Sequence, residues 1–264
     1  MTKPAPGPDQ PPIPVRLVTF NTHHGAGEDD RFDLARVAKL LRSMDADVIC
    51  LQEVDRHFGE RSEDVDEALL LSRALEMQLA WGPAIDEPRP DGPDREYGLA
   101  LLSRLPILVS DVHRLPGNGE PRIALRTMVE LDGAPLWVTN THLTNRPAEQ
   151  AAQVAALTEL VTEPMETGVL AGDFNAVPGA PELAPLRARF CDAWEVADEH
   201  RADAGHRFLH REGGATHPAS APRRRIDQVW VSRRIAVRLA RVPDPHGASD
   251  HRPVVVDLAV PSGV

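Results

Sequence analysis

Apolar residues in this chain come in short runs that stop at polar ones. The first, Val15 to Phe20 in "VRLVTFNTHHG", breaks at Asn21. Leu34, Val37, Ala38 and Leu41 then recur at the spacing of one helix face, with Asp33 before them as an N-cap. "ADVICLQEVD" is apolar from Val48 to Leu51 and predicts a strand ending in Gln52 and Glu53. A second helical pattern over residues 64–79 runs through Val65, Leu69, Leu70 and Leu75. Residues 82–96, dense in Pro, Gly and Asp, predict a loop, and "YGLALLS" predicts a short strand stopped by Pro106. Next, "IALRTMVEL" and "PLWVTNTHL" flank Asp132-Gly133, a hairpin signal. Pro147 opens a helix whose buried face is Val154, Leu157 and Val161. "GVLAGDFN", "IDQVWVS", "IAVRLARV" and "PVVVDLAV" read as strands, while residues 178–222 alternate short helical stretches with loops. Helices between the early strands, and hairpins later, predict an α/β architecture with mixed sheets. Neither a solenoid-type repeat nor an internal linker interrupts residues 15–260, which read as one domain behind a Pro-rich tail, residues 1–14.

Composition narrows the class. Hydrophobic residues at 42% and charged residues at 26% are ordinary for a globular protein, and aromatics at 4% leave the core to Leu, Val, Ile and Ala. "MTKPAPGPDQPPIP" has no apolar stretch and is neither signal peptide nor anchor; it suits a flexible or polyproline-like tail. No later segment has the apolar length of a membrane span. The two cysteines, Cys50 and Cys191, read as buried free thiols, and a cytoplasmic monomer is expected. A net charge of −11 argues against bulk nucleic-acid binding, although Arg223-Arg224-Arg225 leaves a locally positive cleft open.

The polar residues that end these strands carry the chemistry. Asn21 and Glu53 end the first two, His142 follows "PLWVTNT", and Asp173 and Asn175 follow "GVLAG". Asp250 and His251 precede the final strand, and Asp227 lies in "RIDQVW". Singly, each has an ordinary explanation: a turn, a cap, a surface carboxylate, Asp227 pairing with Arg225. Their recurrence at strand ends does not, because strand ends are where distant parts of a sheet converge on a ligand. Glu53, Asp173, Asn175 and Asp250 offer hard oxygen donors, suited to Mg²⁺ or Mn²⁺ rather than Zn²⁺. Asp173 suits orienting or deprotonating a water, His142 and His251 suit donating to phosphate oxygens, and Asp227 suits fixing the His251 tautomer. Strand alternation should send Asp173 and Asn175 to one side and Phe174 to the other, with Gly172 leaving room for a ligand.

"TFNTHH", "LQEVD", "YGLALLS", "NTHL", "GDFN", "RIDQVWVS" and "SDHRPV" occur in this order. Together, over roughly residues 15–260, they resemble the endonuclease/exonuclease/phosphatase superfamily. That superfamily includes DNase I-like nucleases, abasic-site endonucleases, neutral sphingomyelinases and inositol-phosphate phosphatases. The resemblance implies a four-layer α/β sandwich: two mixed, mostly antiparallel β-sheets packed face to face with helices outside. It also implies Mg²⁺-dependent phosphoester hydrolysis, with Mn²⁺ as a substitute, and no covalent intermediate. Carried onto this chain, Glu53 is the principal metal ligand, Asn21 supports the metal and phosphate side, and Asp250 belongs to the metal shell. Asp173 positions or activates the attacking water with help from Asn175, His142 contacts the phosphate, and the Asp227–His251 pair stabilises the transition state. Candidate substrate contacts are Tyr97, Arg122, His23 and His24. Arg122 either touches phosphate or is solvated, and the two histidines, standing where several nucleases carry Trp, either line the cleft or admit a different metal. The loops at 54–66, 82–96, 116–121, 144–147 and 200–222, which would choose the substrate, are short and not basic. A small or lipid-derived phosphoester is therefore expected; the alternatives are a Mg²⁺-dependent nuclease on DNA or RNA and a non-catalytic phosphate-binding module.

Overall fold

The computed structural model describes residues 11–161, 167–202 and 213–262. Thirteen strands form two sheets: β1 (Ile13–Asn21), β2 (Val48–Arg56), β3 (Gln78–Glu87), β4 (Arg95–Ser103), β5 (Ile107–Leu115), β6 (Arg122–Leu131), β7 (Ala134–His142), β8 (Gly168–Asp173), β9 (Phe190–Asp192), β10 (Glu199–Ala202), β11 (Asp227–Ser232), β12 (Ala236–Val242) and β13 (Val254–Val260). The helices are α1 (Leu34–Met44), α2 (Glu67–Leu75), α3 (Pro147–Leu160) and the short α4 (Ala184–Arg189) and α5 (Ala193–Val196). One sheet has seven strands in the order β10-β12-β13-β1-β2-β4-β3; the other has six, β5-β6-β7-β8-β11-β9. Most neighbours run antiparallel, apart from β10 with β12 at one edge and two central parallel pairs, β1 with β2 and β7 with β8. Each of those parallel pairs is bridged by a helix, α1 and α3 respectively, the connection a parallel pair requires.

Side-chain alternation sorts the core into layers. Leu17, Val48 and Cys50 of one sheet meet Leu125, Val138 and Val169 of the other in the inter-sheet core. Their neighbours Val18, Phe20, Ile49 and Leu51 point the opposite way, onto Val37 and Leu41 of α1 and Leu71 of α2. Beyond the second sheet, Leu170 and Trp230 pack on Val154 and Leu157 of α3. The result is the expected helix–sheet–sheet–helix sandwich. It also explains why β1 and β2 are apolar on both faces: neither face meets water. α1 starts where Asp33 accepts from the Arg36 amide, and α2 where Asp66 accepts from the Leu69 amide. Among the described residues no helix is long and apolar enough to cross a membrane.

Several boundaries differ from the pattern-based expectation. Residues 82–96 are not one loop, since β3 continues to Glu87 and β4 begins at Arg95. The inward face of β3 is Ala80, Gly82 and Ala84, residues too small to announce an apolar alternation. The second helix occupies only Glu67–Leu75 and ends at Glu76 in the left-handed region. β2 does not stop at Glu53 but passes through a bulge there and runs on to Arg56. β5 went unread because it is an edge strand with Leu108, Val109 and Val112 exposed. Ile13 and Pro14, assigned to the tail, belong to β1, opposite Val260 and Ala259; the rest of the tail to residue 10 lies outside the described residues. Cys50 is buried as expected, whereas Cys191, on the edge strand β9, is partly exposed.

Candidate active site

The two central parallel pairs put their C-terminal ends side by side. Asn21 and Glu53 come from β1 and β2; His142 and Asp173 end β7 and β8, in register with each other. Asp227 opens β11 directly opposite Asp173. Beneath them a polar clamp joins the sheets: buried Gln52 donates to Asn140 Oδ1 at 2.7 Å, and Asn140 donates to the carbonyls of Leu51 and Ala100 at 2.8 and 3.0 Å. Neither residue stood out in the sequence.

Asn21 ties the two halves together. Its amide donates to Glu53 Oε1 at 2.9 Å and to Asp173 Oδ2 at 3.2 Å, while its own oxygen accepts from the His23 amide at 3.0 Å. Glu53 reaches this position because the bulge in β2 gives it φ +55° and re-aims its side chain. Asp173 is buried, and its Oδ1 accepts from the Asn175 amide at 2.8 Å, forming an Asx turn. Asn175 therefore arrives through a left-handed residue, φ +52°, and not by strand alternation, since β8 has ended at Asp173. Phe174 does point away, fully buried against Trp230. Gly172 makes room for β7, not for a ligand: a Cβ there would stand 1.9 Å from the Thr141 carbonyl oxygen.

Opposite Asp173 lies a carboxylate–imidazole pair. His251 Nδ1 donates to Asp227 at 2.9 and 3.1 Å, and its Nε2 faces Asp173 Oδ2 at 3.8 Å. Asp227 is fully buried and does not pair with Arg225, which binds Asp192 at 2.7 Å. Burial alone would lower the His251 pKa, but Asp227, Asp173 and Asp250 outweigh it and raise it to about 10. Burial raises the Asp173 carboxyl, Asp227 pushes the same way and the His251 charge opposes them, leaving it at about 7. His142 is the contrast: burial, then the Arg122 and His251 charges, hold it neutral. Arg122 Nη1 donates to His142 Nδ1 at 2.8 Å, so the ring proton sits on Nε2, which faces Asp173 Oδ2 at 3.5 Å, while the Asn175 side-chain amide donates to the Leu143 carbonyl at 2.9 Å. Arg122 is thus no solvated surface residue; it also pairs with Glu120 at 3.1 Å.

These groups floor a cavity of about 490 Å³. His23, His24 and Tyr97 line it too. Both histidines have positive φ, +47° and +43°, and burial, with the His23 and Arg61 charges, lowers His24 to about 4. Asp250 is placed differently, its oxygens 3.8 Å from His23 Nδ1 and from His217 Nε2. His217, Phe58 and Arg61 are site neighbours the sequence did not single out; all sit in loops, where no periodicity marks a residue. Among the described residues, the groups Asp173–Asp227–His251 and His217–Asp250–His251 could each close on an ion. Glu53 offers a harder, more open seat: its carboxylate is 22% exposed, and among the described residues the one basic side chain within 4 Å of it is the neutral His142. A bare carboxylate beside a side-chain amide fits a divalent cation bound through oxygen.

The profile of the Endonuclease/Exonuclease/phosphatase family matches residues 18–251. The Escherichia coli K12 protein YbhP, itself uncharacterized, is 26% identical over 92% of this chain and 95% of its own length. A Beutenbergia cavernae endonuclease/exonuclease/phosphatase superposes with a TM-score of 0.74 at 23% identity, covering 95% of this chain and 72% of that one. The Bacteroides thetaiotaomicron mannosyl-6-phosphatase Bt3783 does so with a TM-score of 0.70 at 19% identity, covering 92% and 99%.

Proposed function

The chain belongs to the endonuclease/exonuclease/phosphatase family, and from that premise we propose that it is a Mg²⁺-dependent hydrolase of small phosphoesters. The observation that carries this reading is the buried Asp227–His251–Asp173 row at the floor of a cavity shared with Glu53, Arg122, His142 and Asn175. Glu53, with Asn21 beside it, would hold the ion, which supplies Lewis-acid stabilisation of charge on a phosphate oxygen. Asp173, with a pKa near neutrality, takes a proton from the attacking water as the water oxygen bonds to phosphorus. His251, kept protonated by Asp227, donates from Nε2 to the charge that develops on the phosphoryl oxygens as the bond to the leaving oxygen breaks. Arg122 and the Asn175 amide orient the phosphate, Arg122 kept in place by His142 and Asn175 by Asp173 and the Leu143 carbonyl.

A small substrate suits an acidic protein whose cavity rim carries Glu120 beside Arg122. The test is purified protein with Mg²⁺ or Mn²⁺ against phosphomonoesters, phosphodiesters, DNA and RNA. Silence across the panel would leave the non-catalytic alternative standing, and salt-sensitive cleavage of DNA as the best activity would make the protein a nuclease.

A further inference from the structure

Arg61 lines the cavity but takes no part in the chemistry above. It stands in the turn Glu60–Ser62 between β2 and α2. Its Nε and Nη2 donate to the two oxygens of Asp55 at 2.8 and 2.7 Å. Asp55 is fully buried, two residues beyond Glu53 on β2, and is held in turn by the Ser62 hydroxyl at 2.8 Å. The guanidinium carbon lies over Phe58, 4.4 Å from the ring centre, and 5.5 Å from that of Tyr97. Ion pair and aromatic floor together fix one orientation.

A guanidinium has five N–H donors, and Asp55 uses one on Nε and one on Nη2. The end-on Nη1/Nη2 edge keeps three donors, which meet no partner among the described residues, and the side chain is 43% exposed. That edge is the fork that grips two oxygens of a phosphate or carboxylate. Arg122 is committed elsewhere, to His142 at the reacting side. One cavity therefore presents two arginines with separate duties.

The geometry points to Arg61 as a second anion subsite, so that the preferred substrate is a small phosphoester carrying a second phosphate or carboxylate on the same molecule. The inference rests on the hydrolase reading for the word substrate, but the subsite is testable without turnover. A polynucleotide also carries neighbouring phosphates; the acidic rim and the net charge of −11 argue for the small molecule.

The experiment is calorimetric binding of fructose 6-phosphate, fructose 1,6-bisphosphate, 3-phosphoglycerate and a single-stranded 20-mer to the full chain in EDTA. Wild type should bind the bisphosphate, phosphoglycerate or both at least about tenfold more tightly than the monophosphate, the scale of one charge-assisted bidentate contact. Which of the two gains identifies the second anion. Arg61→Gln should reduce that ratio to near one, and Arg61→Lys, which keeps a charge for Asp55 but not the fork, should lose most of it. Since Arg61→Gln strands a buried carboxylate, Asp55→Asn with Arg61→Gln serves if the single variant does not fold. A wild-type ratio near one for both second-anion probes, or a ratio that survives Arg61→Gln, overturns the subsite. Tightest binding of the 20-mer overturns the small-molecule assignment. Turnover of the same compounds with Mg²⁺ is scored separately: binding selectivity without hydrolysis sinks the hydrolase and leaves the subsite.

Discussion

Two buried residues to which the proposed reaction gives opposite protonation states face each other across 3.8 Å: Asp173 as a carboxylate and His251 as an imidazolium. Activity should therefore rise as Asp173 loses its proton, at or below pH about 7, and fall as His251 loses its own near pH about 10. A kcat/KM profile rising through pH 10 would contradict this assignment. Asp173→Asn replaces one carboxylate oxygen by an amide NH2 of similar size and removes the charge, so kcat should drop by about 10²–10⁴-fold, the weight of a positioned general base, with an unaltered circular dichroism spectrum. The same shifts set stability. A His251 pKa raised from 6.5 to about 10 stabilises fully below pH 6.5 and loses that contribution as pH climbs to about 10. The raised Asp173 pKa works in the same sense lower down, because the folded state holds its proton more tightly than the unfolded chain does. Melting of the metal-free protein should thus show falling Tm between pH 6.5 and 10, and Asp227→Asn should flatten that slope.

At the level of strands, the joints between neighbours decide where these residues point. The Gln52–Asn140 clamp crosses from one sheet to the other just under the site. Asn140→Leu would take one of three acceptors from the buried Gln52 amide, which keeps Thr19 Oγ1 and the Cys50 carbonyl, and would remove the donor to the Leu51 and Ala100 carbonyls. It should cost about 1–3 kcal/mol per orphaned group in urea denaturation, and a loss below 1 kcal/mol would show that the clamp is dispensable. Much at this scale was legible in the chain. The polar ends of β1, β7 and β8 follow short apolar runs, and these ends are what the site is made of. Glu53 was found for an incomplete reason: its strand does not end there but bulges. Asn175 was found through an alternation that β8 does not continue far enough to provide. β3 stayed hidden because alanine and glycine form its buried face. Arg61 and His217 lie in turns whose residues gain meaning only from what folds over them.

The whole molecule places the site on the seam between two sheets, with Asn21 and Glu53 on one side and His142, Asp173 and Asp227 on the other. Asn21 spans the seam, so an ion on Glu53 should stiffen the sandwich as well as serve chemistry. At free Mg²⁺ a hundredfold above its Kd, one site adds about 2.7 kcal/mol of stability. Glu53→Ala should abolish both that increment and the calorimetric Mg²⁺ signal; a variant that kept either would move the ion elsewhere. β1 pairs with β13 across nearly the full span of the chain, Ile13 opposite Val260. During synthesis, then, Asn21 is made long before His251, and His251 just before the strand that pairs with β1. A chain cut short within β13 would carry every residue of the site, yet β1, which places Asn21, would lack its antiparallel partner.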